Sequence, residues 1–295
     1  MKTANLLTGL LGLAPLLLSG CDTDPGTTIN GQPTGEVTFL RTTQQKIAGG
    51  TVDRIDTSVM GLAITFGFNG ALCTGTLIAP NLVLTARHCI ADLASETVDC
   101  NTDTFGDVFD SNAVNATTSV SVSFGGRGGY QSTQIEVPPD DDNVCGYDIA
   151  VVILDTNVPA SVTVPWVPRV DIPVTTGESY TAAGYGETAD GTGAGTRRVL
   201  PNREVLCVGN ECGGVRRSGV AEGEFVGSDG VCSGDSGGPA FDELGRVIGV
   251  ANRGGAGCQG SIYAEVPRWG NWIREMGQMA ADMGGYAAPL WVTAG

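Results

Sequence analysis

The chain has 295 residues, a net charge of −16 and only 16% charged residues. Three acids and three bases cancel within residues 1–46, so the remainder carries the whole −16; it offers no basic patch for nucleic acid, and solubility is the plain explanation of the acidity. Forty-five glycines with so few charges favour short strands and tight turns over long surface helices.

Residues 1–20 read as an export signal. Lys2 gives a positive start, and Leu6 to Leu18 is an apolar run too short to span a bilayer comfortably. The run ends in Leu18-Ser19-Gly20-Cys21, where a small pair directly before a cysteine resembles the bacterial lipoprotein signal, with Cys21 lipidated and exposed as the new N-terminus. Plain secretion with cleavage nearby is the alternative, and on either path the mature chain leaves the cytosol. Residues 21–46, rich in Thr, Gly, Pro, Asn and Gln, are expected to form a flexible spacer. Lys46, the last lysine of the chain, precedes Ile47-Ala48-Gly49-Gly50.

Setting Cys21 aside leaves eight cysteines, an even number that in an exported protein implies four disulfides. The spacings lack paired CxxC units and the chain has one histidine, so no zinc site and no cofactor are expected. Residues 73–89 read as a hairpin turned at Pro80-Asn81, with that histidine, His88, just before Cys89. Residues 118–124 show Val-rich alternation, and Asp140-Asp141-Asp142 offers either a calcium site or a solvated loop. Asp148 stands directly before the apolar strand of residues 149–154, where an entering carboxylate needs a partner.

Residues 155–205, with several Pro and Gly punctuators and Val-rich segments such as 162–167, are expected to hold further strands and loops, and Cys207 and Cys212 are close enough to close a small loop. Residues 247–250 and 261–266 read as strands, and Pro267 to about Met279 is the best helix, with Trp269, Trp272, Ile273 and Met276 at helical spacing. No pattern is evident after Gly284. Between these strands lies Cys232-Ser233-Gly234-Asp235-Ser236-Gly237-Gly238-Pro239. Its glycines permit tight turns and close substrate approach, and leave backbone N–H groups to converge on one point, so Ser236 reads as an exposed nucleophile.

From Ile47 to about Met279 these motifs, in the order His, Asp, Ser, resemble the chymotrypsin/trypsin family of serine proteases. The resemblance implies an all-β fold of two six-stranded antiparallel β-barrels with a C-terminal helix, a protease domain over residues 47–279, and a tail over 280–295. It implies a catalytic triad of His88, Asp148 and Ser236, an oxyanion hole from the N–H groups of Gly234 and Ser236, and an ion pair between Asp235 and the amino terminus of Ile47 after a cut following Lys46. It places Gly230, Val231, Gly254 and Ser261 around the specificity pocket, which favours small to medium apolar residues, with Asp229 one position away from the charge of trypsin-like enzymes. Cys73–Cys89 and Cys232–Cys258 match family disulfides, Cys207–Cys212 is similar to a shortened third, and Cys100 and Cys145 remain as a pair. The implied partners are protein or peptide substrates, an activating protease and, through Cys21, a membrane. Two departures stand out: Arg87 replaces the small residue usual before the histidine, and Asn252-Arg253 replaces Ser-Trp ahead of Gly254, which bears on the orientation of Asp148. The competing class is a catalytically silent binding lipoprotein on the same scaffold.

Overall fold

The computed structural model describes residues 50–93, 98–123, 129–214, 219–255 and 257–293; the expected export signal, spacer, Lys46 and Ile47 lie outside them. After a two-residue strand β1 (Thr51–Val52) come β2 (Val59–Phe66), β3 (Asn69–Ala79) and β4 (Leu82–Thr85). A small hairpin of β5 (Ala91–Leu93) and β6 (Phe105–Val108) intervenes before β7 (Val114–Thr117), β8 (Tyr130–Glu136) and β9 (Ala150–Leu154). The strands β2-β3-β4-β9-β8-β7 close into an antiparallel barrel. The expected hairpin at Pro80-Asn81 is β3–β4, with Ala79 opposite Leu82. β4 and β9 are buried at every position, as their unbroken apolar sequence requires.

The second half contains β10 (Ser179–Gly184), β11 (Arg198–Val208), β12 (Glu224–Gly227), β13 (Pro239–Phe241), β14 (Val247–Gly255) and β15 (Gln259–Glu265). They follow the order β11-β10-β13-β14-β15-β12, and the β11–β12 pairing closes a second six-stranded barrel, with β1 added along β11. Its core is aromatic: Phe225 and Tyr263 stack at 4.9 Å and Tyr180 meets both edge-on. The fold is therefore two closed antiparallel six-stranded barrels followed by a helix, the architecture expected from the sequence. Four disulfides join Cys73–Cys89, Cys100–Cys145, Cys207–Cys212 and Cys232–Cys258. Such a set suits an oxidising compartment outside the cytosol.

Two Val-rich segments do not form strands. Residues 118–123 belong to the link from β7 to β8 within the first barrel; there Ser121 makes an isolated bridge to Thr196, and Val120 and Val122 bond Arg197 and Gly195 of the loop before β11 instead of a strand edge. Residues 162–167 are an extended connector over the surface, held by Thr57 Oγ1 and Ser58 Oγ, which donate to the carbonyls of Val162 and Val164. Val162, Val164 and Val167 are exposed, so their spacing marked an extended chain without a sheet.

The C-terminal helix α1 (Gly270–Gly284) runs beyond the expected end at Met279 and stops at Gly285, whose φ of 67° forms a left-handed cap. Its buried stripe is Gly270, Ile273, Met276, Gly277, Ala280 and Ala281, and the two tryptophans flank it half-buried. The residues after Gly284, for which no pattern was expected, fold back as α2 (Leu290–Thr293), with Trp291 buried over Gly277. Trp291→Ala is expected to lower unfolding free energy by about 3 kcal/mol. Guanidinium titration of the domain measures this, and an unchanged midpoint would show that the tail adds no stability.

Candidate active site

The two halves of the site meet through strand register. β4 and β9 are antiparallel neighbours with Thr85 opposite Ala150, so the chain leaving β4 lies across from the chain entering β9. Beyond Thr85 the backbone makes a 3-10 turn over Arg87–Cys89, stapled to β3 by the Cys73–Cys89 disulfide. His88 on that turn reaches Asp148, which is 1% exposed. The His88 N–H donates to Asp148 Oδ1 at 2.8 Å, and Nδ1 lies 2.6 Å from Oδ2. Burial pushes the imidazole's pKa down, the Asp148 charge and hydrogen bond push it up, and the Arg253 charge pushes it down; the balance lies above the 6.5 of a free imidazole.

The serine loop is fixed from the other barrel. Thr74, beside Cys73 on β3, donates its N–H to the Ser236 carbonyl at 2.8 Å and its Oγ1–H to the Gly234 carbonyl at 2.9 Å. Gly237 adopts φ 82°, and a Cβ there would overlap Thr85 Oγ1 and the Thr74 carbonyl oxygen, so the seam between barrels closes only over glycine. His88, Asp148 and Ser236 thus line one cleft of about 540 Å³. Gly234, at φ 91°, lies two residues before Ser236 in the same turn.

Asp235, the residue before Ser236, points inward and is 2% exposed. It accepts the N–H groups of Gly186 at 2.7 Å and Cys232 at 3.0 Å. Burial pushes its pKa up to about 7 against these two bonds and the charge of Arg198. Among the described residues it makes no ion pair.

Of the expected pocket residues, Val231 and Gly254 line the cleft with Ser236. Ser261 does not: it is fully buried, and its hydroxyl accepts the Val231 N–H at 3.1 Å. Gly230 also stands behind the cleft wall, its N–H donated to the Cys258 carbonyl at 2.9 Å. Asp229 is exposed, with its carboxylate accepting the Gly260 N–H.

The two departures from the family pattern have structural partners. Arg87 is buried, donates to the Asp141 carbonyl at 2.9 Å and lies over the Phe105 ring. Asp141 Oδ1 accepts the N–H groups of Asp142 and Asn143, so the acidic run caps its own turn behind the histidine. Among the described residues its three carboxylates form no ligand cluster; the one His/Cys group found is Cys73, His88 and Cys89, whose sulfurs are bonded to each other. Asn252 Nδ2 donates to Glu224 at 3.2 Å, away from Asp148, and Arg253 pairs with the same carboxylate. Thr74 and Glu224 were not identifiable from sequence: a threonine inside a strand and a lone acid carry no spacing signal.

Comparison with known proteins agrees with this geometry. A family model described as Trypsin matches residues 47–273. The chain is 25% identical over 255 residues to kallikrein 1-related peptidase b21 of Mus musculus, covering 82% of this chain and 93% of the relative. It is 28% identical over 225 residues to a trypsin-like protease of Streptomyces glaucescens, covering 66% and 70%, and 27% identical over 238 residues to serine protease SP24D of Anopheles gambiae, covering 78% and 80%. With two closed barrels, a C-terminal helix and a family match over most of its length, the chain belongs to the trypsin family of serine proteases.

Proposed function

We propose that the domain is a serine endopeptidase working through an acyl-enzyme. Ser236 Oγ attacks the scissile carbonyl, and His88 takes its proton and returns it to the leaving amine. Asp148 holds the Nδ1–H tautomer and stabilises the imidazolium. The N–H groups of Gly234 and Ser236 receive the oxyanion, each worth about 3 kcal/mol of barrier. The observation that carries the reading is the buried carboxylate on Nδ1 of the chain's only histidine, in the cleft that Ser236 also lines. The preferred residue before the scissile bond is small to medium and apolar, because Val231 and Gly254 line the cleft and Asp229, one position from the charge of trypsin-like enzymes, is held on Gly260 and does not line it.

Activation by a cut after Lys46 follows from the chemistry of Asp235. A buried carboxylate favours an ammonium partner, and the new terminus at Ile47 supplies one. The lipid at Cys21 anchors the precursor, and the cut lies between anchor and enzyme. The segment between them has no further cysteine, so cleavage releases the enzyme. An apolar pocket does not accept Lys46, so a second, Lys-specific protease performs the cut.

Three outcomes test this. Ser236→Ala abolishes peptide hydrolysis and fluorophosphonate labelling, and Asp148→Asn lowers kcat about 10⁴-fold; full turnover in either variant overturns the assignment. In the uncut chain, folded Asp235 holds its proton more tightly than unfolded Asp235. Stability therefore falls as pH rises from 3.8 to about 7, by about 4 kcal/mol in all, and is flat above. Urea titrations at pH 5 and 8 read about 3 kcal/mol of this drop, which vanishes in Asp235→Asn. Lys-specific digestion of membranes carrying the precursor yields soluble activity beginning at Ile47, whereas full activity in uncut, membrane-bound protein refutes the release.

A further inference from the structure

Glu224 is fully buried although the triad does not use it. It sits at the start of β12, in the second barrel, and its carboxylate gathers donors from three segments. Oε1 accepts the Gly146 N–H at 2.9 Å, the Asn252 amide at 3.2 Å and Arg253 Nη1 at 2.6 Å. Oε2 accepts the Ala221 N–H at 2.9 Å and Arg253 Nη2 at 2.7 Å, which makes the arginine contact a two-pronged pair. Gly146 lies two residues before Asp148, in the turn that delivers it to His88. At φ 90°, with the carbonyl of Glu222 and the methyl of Ala221 close behind, this glycine lets the two barrels touch at that turn. The turn is held on its other side by the Cys100–Cys145 disulfide. Arg253 lies along β14 and lines the same cleft as His88.

We propose that Glu224 is a positioning residue: paired with Arg253, it pins the turn that carries Asp148 to the cleft strand β14 and so sets the geometry of the Asp148–His88 contact. It takes up the task left open by Asn252, whose amide turns to Glu224 and gives Asp148 no bond. Glu224 is fully buried, so removing Arg253 leaves its carboxylate without a counter-charge in the interior, whereas Arg253, partly exposed at the cleft, keeps a bond to the Gly219 carbonyl at 2.8 Å.

The single histidine makes the contact directly observable, since NMR then shows one imidazole. The charged groups facing it are Asp148 from the turn before β9, Arg253 from β14 and Glu187 from the cleft wall, with Arg87 behind Asp148. In Glu224→Gln the unpaired Arg253 cation acts on His88, so the imidazole titrates at lower pH than in the wild type. In Arg253→Met the cation is gone and the titration moves to higher pH. The double variant, neutral on both sides, returns toward wild type. No shift, or shifts of one sign in both single variants, overturns the proposal. Should Glu224→Gln fail to fold, a rise in Arg253→Met reversed in the double variant supports it, and no reversal overturns it. The kinetic readout rests on the peptidase reading: per fluorophosphonate-titrated site, kcat falls about tenfold or more in Glu224→Gln with KM little changed. Absence of labelling in the wild type would count against the peptidase and leave the NMR test standing, while unchanged kcat per labelled site counts against Glu224.

Discussion

One backbone bond, from Thr74 N–H to the Ser236 carbonyl, crosses the seam between the barrels and joins the two halves of the site. The histidine and aspartate belong to the first barrel and the serine loop to the second, so their geometry is only as good as that seam. Thr74 strengthens it with its hydroxyl, which also accepts the Tyr185 N–H at 3.0 Å, and Gly237 supplies the clearance. Each bond is individually modest. Their combined effect is steric as much as energetic, because close-packed barrels have no intermediate separation to relax into.

Buried charge does the rest of the alignment. Arg197 is almost wholly buried between the barrels, donating to the Val59 and Thr118 carbonyls and the Tyr185 hydroxyl, with Asp53 at 3.3 Å as its counter-ion. Glu224 with Arg253 forms a second such link below the cleft. These pairs add little net stability compared with apolar packing, but they penalise every arrangement in which a partner is missing, which favours a single docking of one barrel on the other. The interior tolerates arginine where carbonyls and carboxylates surround it.

The parts of the molecule that were legible in the sequence are those in which one residue type answers a local demand. The Cys73–Cys89 bracket, the apolar run after Asp148 and the glycines around Ser236 each announce their geometry within a few residues. The Val-rich 118–124 and 162–167 were misleading because alternation reports an extended chain with one covered side, and a connecting loop satisfies that without a sheet partner. The helix end was misplaced because its last buried turn uses Gly277, Ala280 and Ala281, small residues that give no strong apolar signal, with Trp291 folded back over Gly277. Glu224 and Thr74 act across 28 and 160 positions of sequence, a separation at which no local pattern survives.

The shortest strand carries a consequence of its own. Thr51 and Val52 pair with Val199 and Arg198, and the Arg198 guanidinium donates to the carbonyl of Gly186, whose N–H bonds Asp235. A cut after Lys46 would leave four residues, Ile47 to Gly50, beyond this clamp. Four residues reach about 13 Å at full extension. The freed ammonium would then behave as a tethered ligand whose effective concentration, millimolar or above, is set by leash length and independent of dilution. On that footing, lengthening the leash by inserted glycines would lower that effective concentration and so weaken the terminus as a ligand.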